Sequence, residues 1–196
     1  MATHIADSKT ASIVQPHPYH WSVQEFHQLA DKGIFNEDDR IELIAGELIE
    51  MAPIGSDHGG HVKQLNRLFN QRLTDNILIS VQDPIVLNGD SEPQPDLALL
   101  RWRDDFYKSA NPSAADVLLL IEVSDSTIDF DRTTKVPLYA AHNIPEIWLI
   151  NLPKRRVEIY RKPMDGEYSE ITHHYDGQIT ATLIPEAVID LTELFA

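Results

Sequence analysis

The sequence reads as an α/β protein: a mixed central β-sheet flanked by helices, with an N-terminal helix and hairpin. Three observations point there. Val117-Leu118-Leu119-Leu120-Ile121 sets five apolar residues in a row without polar alternation, the pattern of a strand buried on both faces. Ile147-Trp148-Leu149-Ile150 repeats that pattern, and a helical stripe of Val136, Leu138, Tyr139 and Ala140 lies between the two runs. Well before them, Ile41 to Met51 reads as two short strands around Ala45-Gly46, a tight hairpin.

The elements follow in order. Residues 1–18 are polar and without periodicity and read as a flexible arm, leaving 19–196 as one domain. Ser22-Val23-Gln24-Glu25 is a capping-box signature; Val23, Phe26, Leu29 and Ala30 share one helical face, and Gly33 marks the stop. After the hairpin, Ser56 or Asp57 can cap a helix whose buried stripe is Val62, Leu65, Leu68, Phe69 and Leu73. Ile77 to Leu87 is apolar and β-branched and predicts a strand, with Pro84 marking an edge or bulge. Leu97 to Leu100 predicts the next strand, preceded by Asp96, and a polar connection then runs to Asp116. The helix after the central strand is expected to start at Thr133 or Thr134, so that Pro137 falls in its first turn, and to end near Asn143. Val157 to Tyr160 pairs with the Trp148 strand; weaker strands around Tyr168–His173 and Ile179–Leu183 precede a terminal segment, Leu191 to Phe195.

Composition bounds the chemistry. At 196 residues, 42% hydrophobic and 24% charged, the chain can bury a real core. It has no cysteine, which excludes disulfides, thiolate zinc sites and cysteine nucleophiles. No apolar run reaches membrane-spanning length, and Met1 to Gln15 lacks a signal-peptide pattern, so a cytoplasmic protein without a membrane is expected. The net charge of −15 opposes generic nucleic-acid binding. Any contact with phosphate must be local or assisted by cations.

Two acids and a lysine stand beside core elements. Asp96 precedes one apolar strand, Glu122 ends another, and Lys135 lies in the helical pattern that follows. A charge at the mouth of a dry strand costs several kcal/mol unless it is compensated. If the two strands pair, Mg²⁺ between the carboxylates is a natural compensator, because this hard ion takes one or two carboxylates plus water and phosphate oxygens. Lys135 could then orient an attacking water or stabilise a transition-state oxyanion. Spacing alone favours a plainer reading, with Asp96 as a strand cap, Glu122 paired with a basic residue and Lys135 solvated.

A family resemblance tips that balance. It is carried by Pro95-Asp96, Ile121-Glu122-Val123-Ser124, Asp131-Arg132-x-x-Lys135, Leu138-Tyr139-Ala140, Asn143 to Ile150, the Ile41 to Leu48 hairpin and His58. Together these resemble the Uma-two family of restriction-endonuclease-like proteins, part of the PD-(D/E)xK nuclease superfamily. The resemblance implies a restriction-endonuclease-like core, a homodimer, and hydrolysis of DNA phosphodiesters with Mg²⁺, or Mn²⁺ in its place. It makes Asp96 and Glu122 metal ligands and Lys135 the catalytic lysine. The superfamily's lysine two positions after the Glu is replaced by Ser124, so the lysine is displaced onto the following helix.

Other candidates rank lower. Glu47 on the hairpin could complete a metal shell or simply face solvent. Asp131 could bind metal or fix Lys135, with capping of the helix as the plainer use. His58 and His61 have ligand spacing but no third partner for zinc. Arg101, Arg103, Lys108, Lys154, Arg155, Arg156, Arg161 and Lys162 are available to phosphates, and Trp21 and Trp102 to bases, whereas Trp148 belongs to the core. A non-catalytic binding or scaffold domain that keeps the fold is the competing function. A serine hydrolase is remote, because no Gly-x-Ser-x-Gly element exists.

Overall fold

The computed structural model describes residues 17–196 apart from positions 37 and 75. The expected arm lies, through residue 16, outside the described residues. Helix α1 (Val23–Asp31) starts with the expected capping box: Ser22 Oγ accepts from the Glu25 N–H at 3.2 Å, and the Glu25 carboxylate accepts from the Ser22 N–H at 2.9 Å. Strands β1 (Ile41–Ile44) and β2 (Glu47–Glu50) form the antiparallel hairpin. Its turn residues Ala45 and Gly46 have φ of +49° and +79°, the mirror-image turn that matches strand twist. Helix α2 (Ser56–Arg72) buries Val62, Leu65, Leu68 and Phe69.

Strand β3 (Ile77–Val81) stops short of the expected Leu87. Pro84 cannot donate to a ladder, and Ile85 beyond it is fully buried outside any strand. Strand β4 (Leu97–Arg101) follows, then β5 (Val117–Ser124), which is buried at every residue, as its unbroken apolar run requires. The next helix begins earlier than expected. It runs as α3 (Ile128–Phe130), a π-helical turn (Asp131–Lys135) and α4 (Val136–Ala141). The Val136 N–H reaches back five residues to the Asp131 carbonyl. Pro137 explains the widening: its ring would crowd the carbonyl four residues back in an α turn, and a looser turn removes that clash. Strands β6 (Glu146–Asn151), β7 (Arg156–Met164) and β8 (Glu167–His174) come next, then a small hairpin of β9 (Gln178–Thr180) and β10 (Val188–Asp190), and α5 (Leu191–Leu194).

The main sheet has six strands in the order β3-β4-β5-β6-β7-β8. Every neighbouring pair is antiparallel except β5 and β6, which run parallel and are joined by the α3–α4 crossover. Side chains alternate across it. Leu97, Leu99, Leu119, Ile121 and Trp148 pack against α2 and the C-terminal hairpin on one face. Ala98, Leu100, Leu120, Ile147 and Leu149 pack under Val136, Tyr139 and Ala140 of α4 on the other. Among the described residues, no helix is long and apolar enough to cross a membrane.

Candidate active site

Register decides which polar side chains meet. Leu97 pairs with Ile121, so Asp96 and Glu122 extend the same register by one step. Pleating sends both to the face that carries Ala98, Leu100 and Leu120, beneath the crossover helix. Glu122 pairs in turn with Leu149 of β6, and Leu149 with Glu158 of β7. One row across the sheet therefore holds Asp96, Glu122, Leu149 and Glu158.

Asp96, Glu122 and Lys135 line one cleft of about 170 Å³, together with His58, Gln94, Asp131 and, at its mouth, Arg40. The Asp96 carboxylate is fixed on both sides. Its Oδ2 accepts from the Val123 N–H at 2.9 Å and lies 3.0 Å from His58 Nε2; its Oδ1 accepts from Gln82 Nε2 at 3.1 Å. The hydrogen bond to Asp96, outweighing burial, raises His58 above its usual pKa.

Glu122 is 2% exposed. Its Oε1 accepts from the Tyr139 hydroxyl at 2.6 Å and from Lys135 Nζ at 3.3 Å. No described donor uses Oε2, which leaves that oxygen for the cleft. Burial is the main force on this acid; Lys135 pulls the other way, and Asp131, Asp96 and Glu42 add to burial, pushing it up to about 8. Lys135 is 1% exposed. Burial favours its neutral form, but the carboxylates of Glu122, Glu42 and Asp131 outweigh that and hold the ammonium above its ordinary range. Tyr139, fully buried, is kept protonated and is a fixed donor to Glu122.

Glu42 was not singled out from the sequence, yet it belongs here. Its Oε1 accepts from Lys135 Nζ and from the Gln94 N–H, both at 2.9 Å, while its Oε2 is buried without a partner. Glu42 lies within β1, whereas Glu47 follows the turn. Glu47 corrects the expectation made for it. It is exposed, pairs with Ile44 at the hairpin end and does not line the cleft. Asp131 does not cap a helix; its Oδ2 accepts from Ser124 Oγ at 2.6 Å and Thr127 Oγ1 at 2.8 Å. Ser124 thus ties the strand end to the turn that carries Lys135.

Among the described residues, no three His, Asp or Glu side chains converge into a ready-made metal cage. The donor set nevertheless fits Mg²⁺. Two hard carboxylates face the cleft, and this ion completes its shell with water and phosphate oxygens. Half of the expected phosphate contacts are committed elsewhere: Arg103 to Asp105, Arg156 to Glu158, Arg161 to Glu146 and Lys162 to Glu170. Trp102 is half exposed and bonded to Asp104, but it follows the far end of β4, roughly 16–20 Å along the strand from Asp96. Trp148 is core, with no exposure. His61 hydrogen-bonds the Asp57 carbonyl and packs near Phe195.

A mixed six-stranded sheet with acids from adjacent strands and a lysine on the following helix is a nuclease-like architecture. The chain belongs to the Uma2 family, described as "putative restriction endonuclease", whose model matches residues 23–192. It is similar in fold to a crystal structure from Anabaena variabilis described as "a putative nuclease belonging to DUF820", with a TM-score of 0.65 at 17% identity, covering 89% of this chain and 97% of that one. No curated protein matches the chain.

Proposed function

We propose that this protein is a Mg²⁺-dependent endodeoxyribonuclease of the PD-(D/E)xK type. The observation that carries the reading is the lining of one cleft by Asp96, Glu122 and Lys135. Family membership supports the nuclease class.

Asp96 and Glu122 would hold the ion, with Glu42 close by. Mg²⁺ held there would supply Lewis-acid chemistry, polarising a phosphodiester and making a water more acidic. Lys135 acts as a charged donor and not as a base, because its carboxylate neighbours keep it protonated. Two of its hydrogen bonds go to Glu42 and Glu122, which leaves its third proton for the attacking water or a phosphate oxygen. Arg40 at the mouth supplies a local positive charge against the acidic surface. Mn²⁺ substitutes for Mg²⁺, the working form is a cytoplasmic homodimer, and the substrate is DNA.

Nicking of supercoiled DNA tests this. Wild type should cut with Mg²⁺ or Mn²⁺ and stop with EDTA. Glu122→Gln should lose on the order of 10²–10³-fold in rate, the scale of losing charge stabilisation in a dry site. Lys135→Ala should bind metal by calorimetry but not turn over. A protein that binds no metal through Asp96 and Glu122 is the scaffold instead.

A further inference from the structure

Arg132 and Lys135 stand three residues apart on the π-helical turn, and each meets a carboxylate of the sheet beneath it. Lys135 meets Glu122 on β5. Arg132 meets Glu158 on β7, its Nε donating to Oε2 at 3.1 Å and its Nη2 to Oε1 at 2.7 Å. Glu122 and Glu158 are both paired in register with Leu149 on the strand between them. Two strand spacings, roughly 10 Å, separate the two acids. The turn is therefore pinned at two points, with buried Leu149 between them.

Glu158 is a firm anchor. Its side chain is 1% exposed and also accepts from Arg156, from the Tyr160 hydroxyl at 2.9 Å and from Asn151 Nδ2 at 3.4 Å. A guanidinium fork on a carboxylate fixes direction as well as distance, which a single ammonium cannot do. The turn it grips is not ordinary α-helix. A π-helical turn is rare and has to be held, here by Pro137 from within and by this fork from outside.

We infer that Arg132 is a positioning residue: anchored on Glu158, it keeps the π-helical turn in place and so sets where the Lys135 ammonium meets Glu122. The functional half of this rests on the nuclease reading; the positional half does not. Removing Arg132 leaves Glu158 with Arg156, Tyr160 and Asn151, so the buried carboxylate stays partnered and the fold survives.

The test uses the full chain carrying Arg132→Met or Arg132→Lys. The Lys135 ammonium is followed in ¹H–¹⁵N side-chain spectra, identified by its loss in Lys135→Arg. Thermal melting checks the fold, and DNA nicking gives kcat and KM. In Arg132→Met, ammonium hydrogen exchange should quicken about tenfold or more, and kcat should fall on the order of 10²-fold, with KM within about twofold. Arg132→Lys, which keeps the charge without the fork, should recover part of both. Unchanged exchange in a folded Arg132→Met protein overturns the inference, as does a fall in KM-side affinity alone. If Arg132→Met does not fold, exchange in Arg132→Lys decides: quickening supports the inference and wild-type exchange overturns it. If the wild type cuts no DNA, the nuclease reading fails, and the ammonium signal still decides the positional claim in the same way.

Discussion

Glu122 is almost wholly buried, its hydrogen bonds come from Lys135 and Tyr139, and three further acids lie close by. With burial and those acids holding it up to about 8, it carries a proton at neutral pH in the metal-free protein. A cation needs the ionised form, so binding must expel that proton. Mg²⁺ affinity should therefore climb with pH up to about 8 and then level off. Calorimetry in buffers of different ionisation enthalpy should show proton release below about pH 8 in wild type and less of it in Glu122→Gln, where the Glu122 share is gone. Affinity that is flat between about pH 6 and 8 would contradict the assignment. Asp96, Glu122 and Lys135 drew notice in the sequence because each interrupts or borders an apolar run, the resemblance made them a site, and the structure brings them to one cleft. Glu42 was passed over for Glu47 because choosing between them needs the strand's facing, which four residues of hairpin do not establish.

At the scale of elements, the β1–β2 hairpin delivers Glu42 to Lys135, so its turn bears on the site. Ala45 occupies the left-handed region, which costs an L-residue with a Cβ roughly 1–2 kcal/mol. Asn tolerates that conformation, and Asn-Gly is the favoured pair for this turn. Ala45→Asn should stabilise the protein by about 0.5–1 kcal/mol in denaturant unfolding. Gly46→Ala should cost about 2 kcal/mol or more, since its φ is +79° and an added Cβ would lie 2.8 Å from His20 Cβ. Equal stability of all three proteins would remove the turn from the account. The sequence announced this hairpin through Ala45-Gly46, but it did not announce the π-helical turn. Pro137 signalled only a helix start. The early beginning at Ile128 follows from Asp131, whose N–H bonds the Thr127 carbonyl and whose carboxylate ties back to Ser124 at the end of β5.

For the whole molecule, the sheet brings one polar row together from strands distant in the chain. Apolar runs revealed each strand, but register is a pairwise property. That is why the Glu122–Leu149–Glu158 alignment, and with it the role of Arg132, could not be read from one sequence. Charge acts at this scale too. A chain at −15 repels itself and DNA, and a cation bound in the cleft would relieve part of that repulsion. Mg²⁺ at about 100 times its Kd should stabilise the fold by about 2.7 kcal/mol, a rise of roughly 5–10 °C in Tm. NaCl at matched ionic strength should give less, and Asp96→Asn or Glu122→Gln should lose the difference. An equal rise with NaCl would mean screening and no site.

The most direct measurement is single-turnover nicking of supercoiled DNA by purified wild type and Glu122→Gln side by side, with Mg²⁺ and with EDTA. Nicked circles from wild type with Mg²⁺, and from neither the variant nor the chelated sample, are what a two-acid, one-lysine cleft predicts. Equal nicking by Glu122→Gln, or none by a folded, Mg²⁺-loaded wild type, would contradict it.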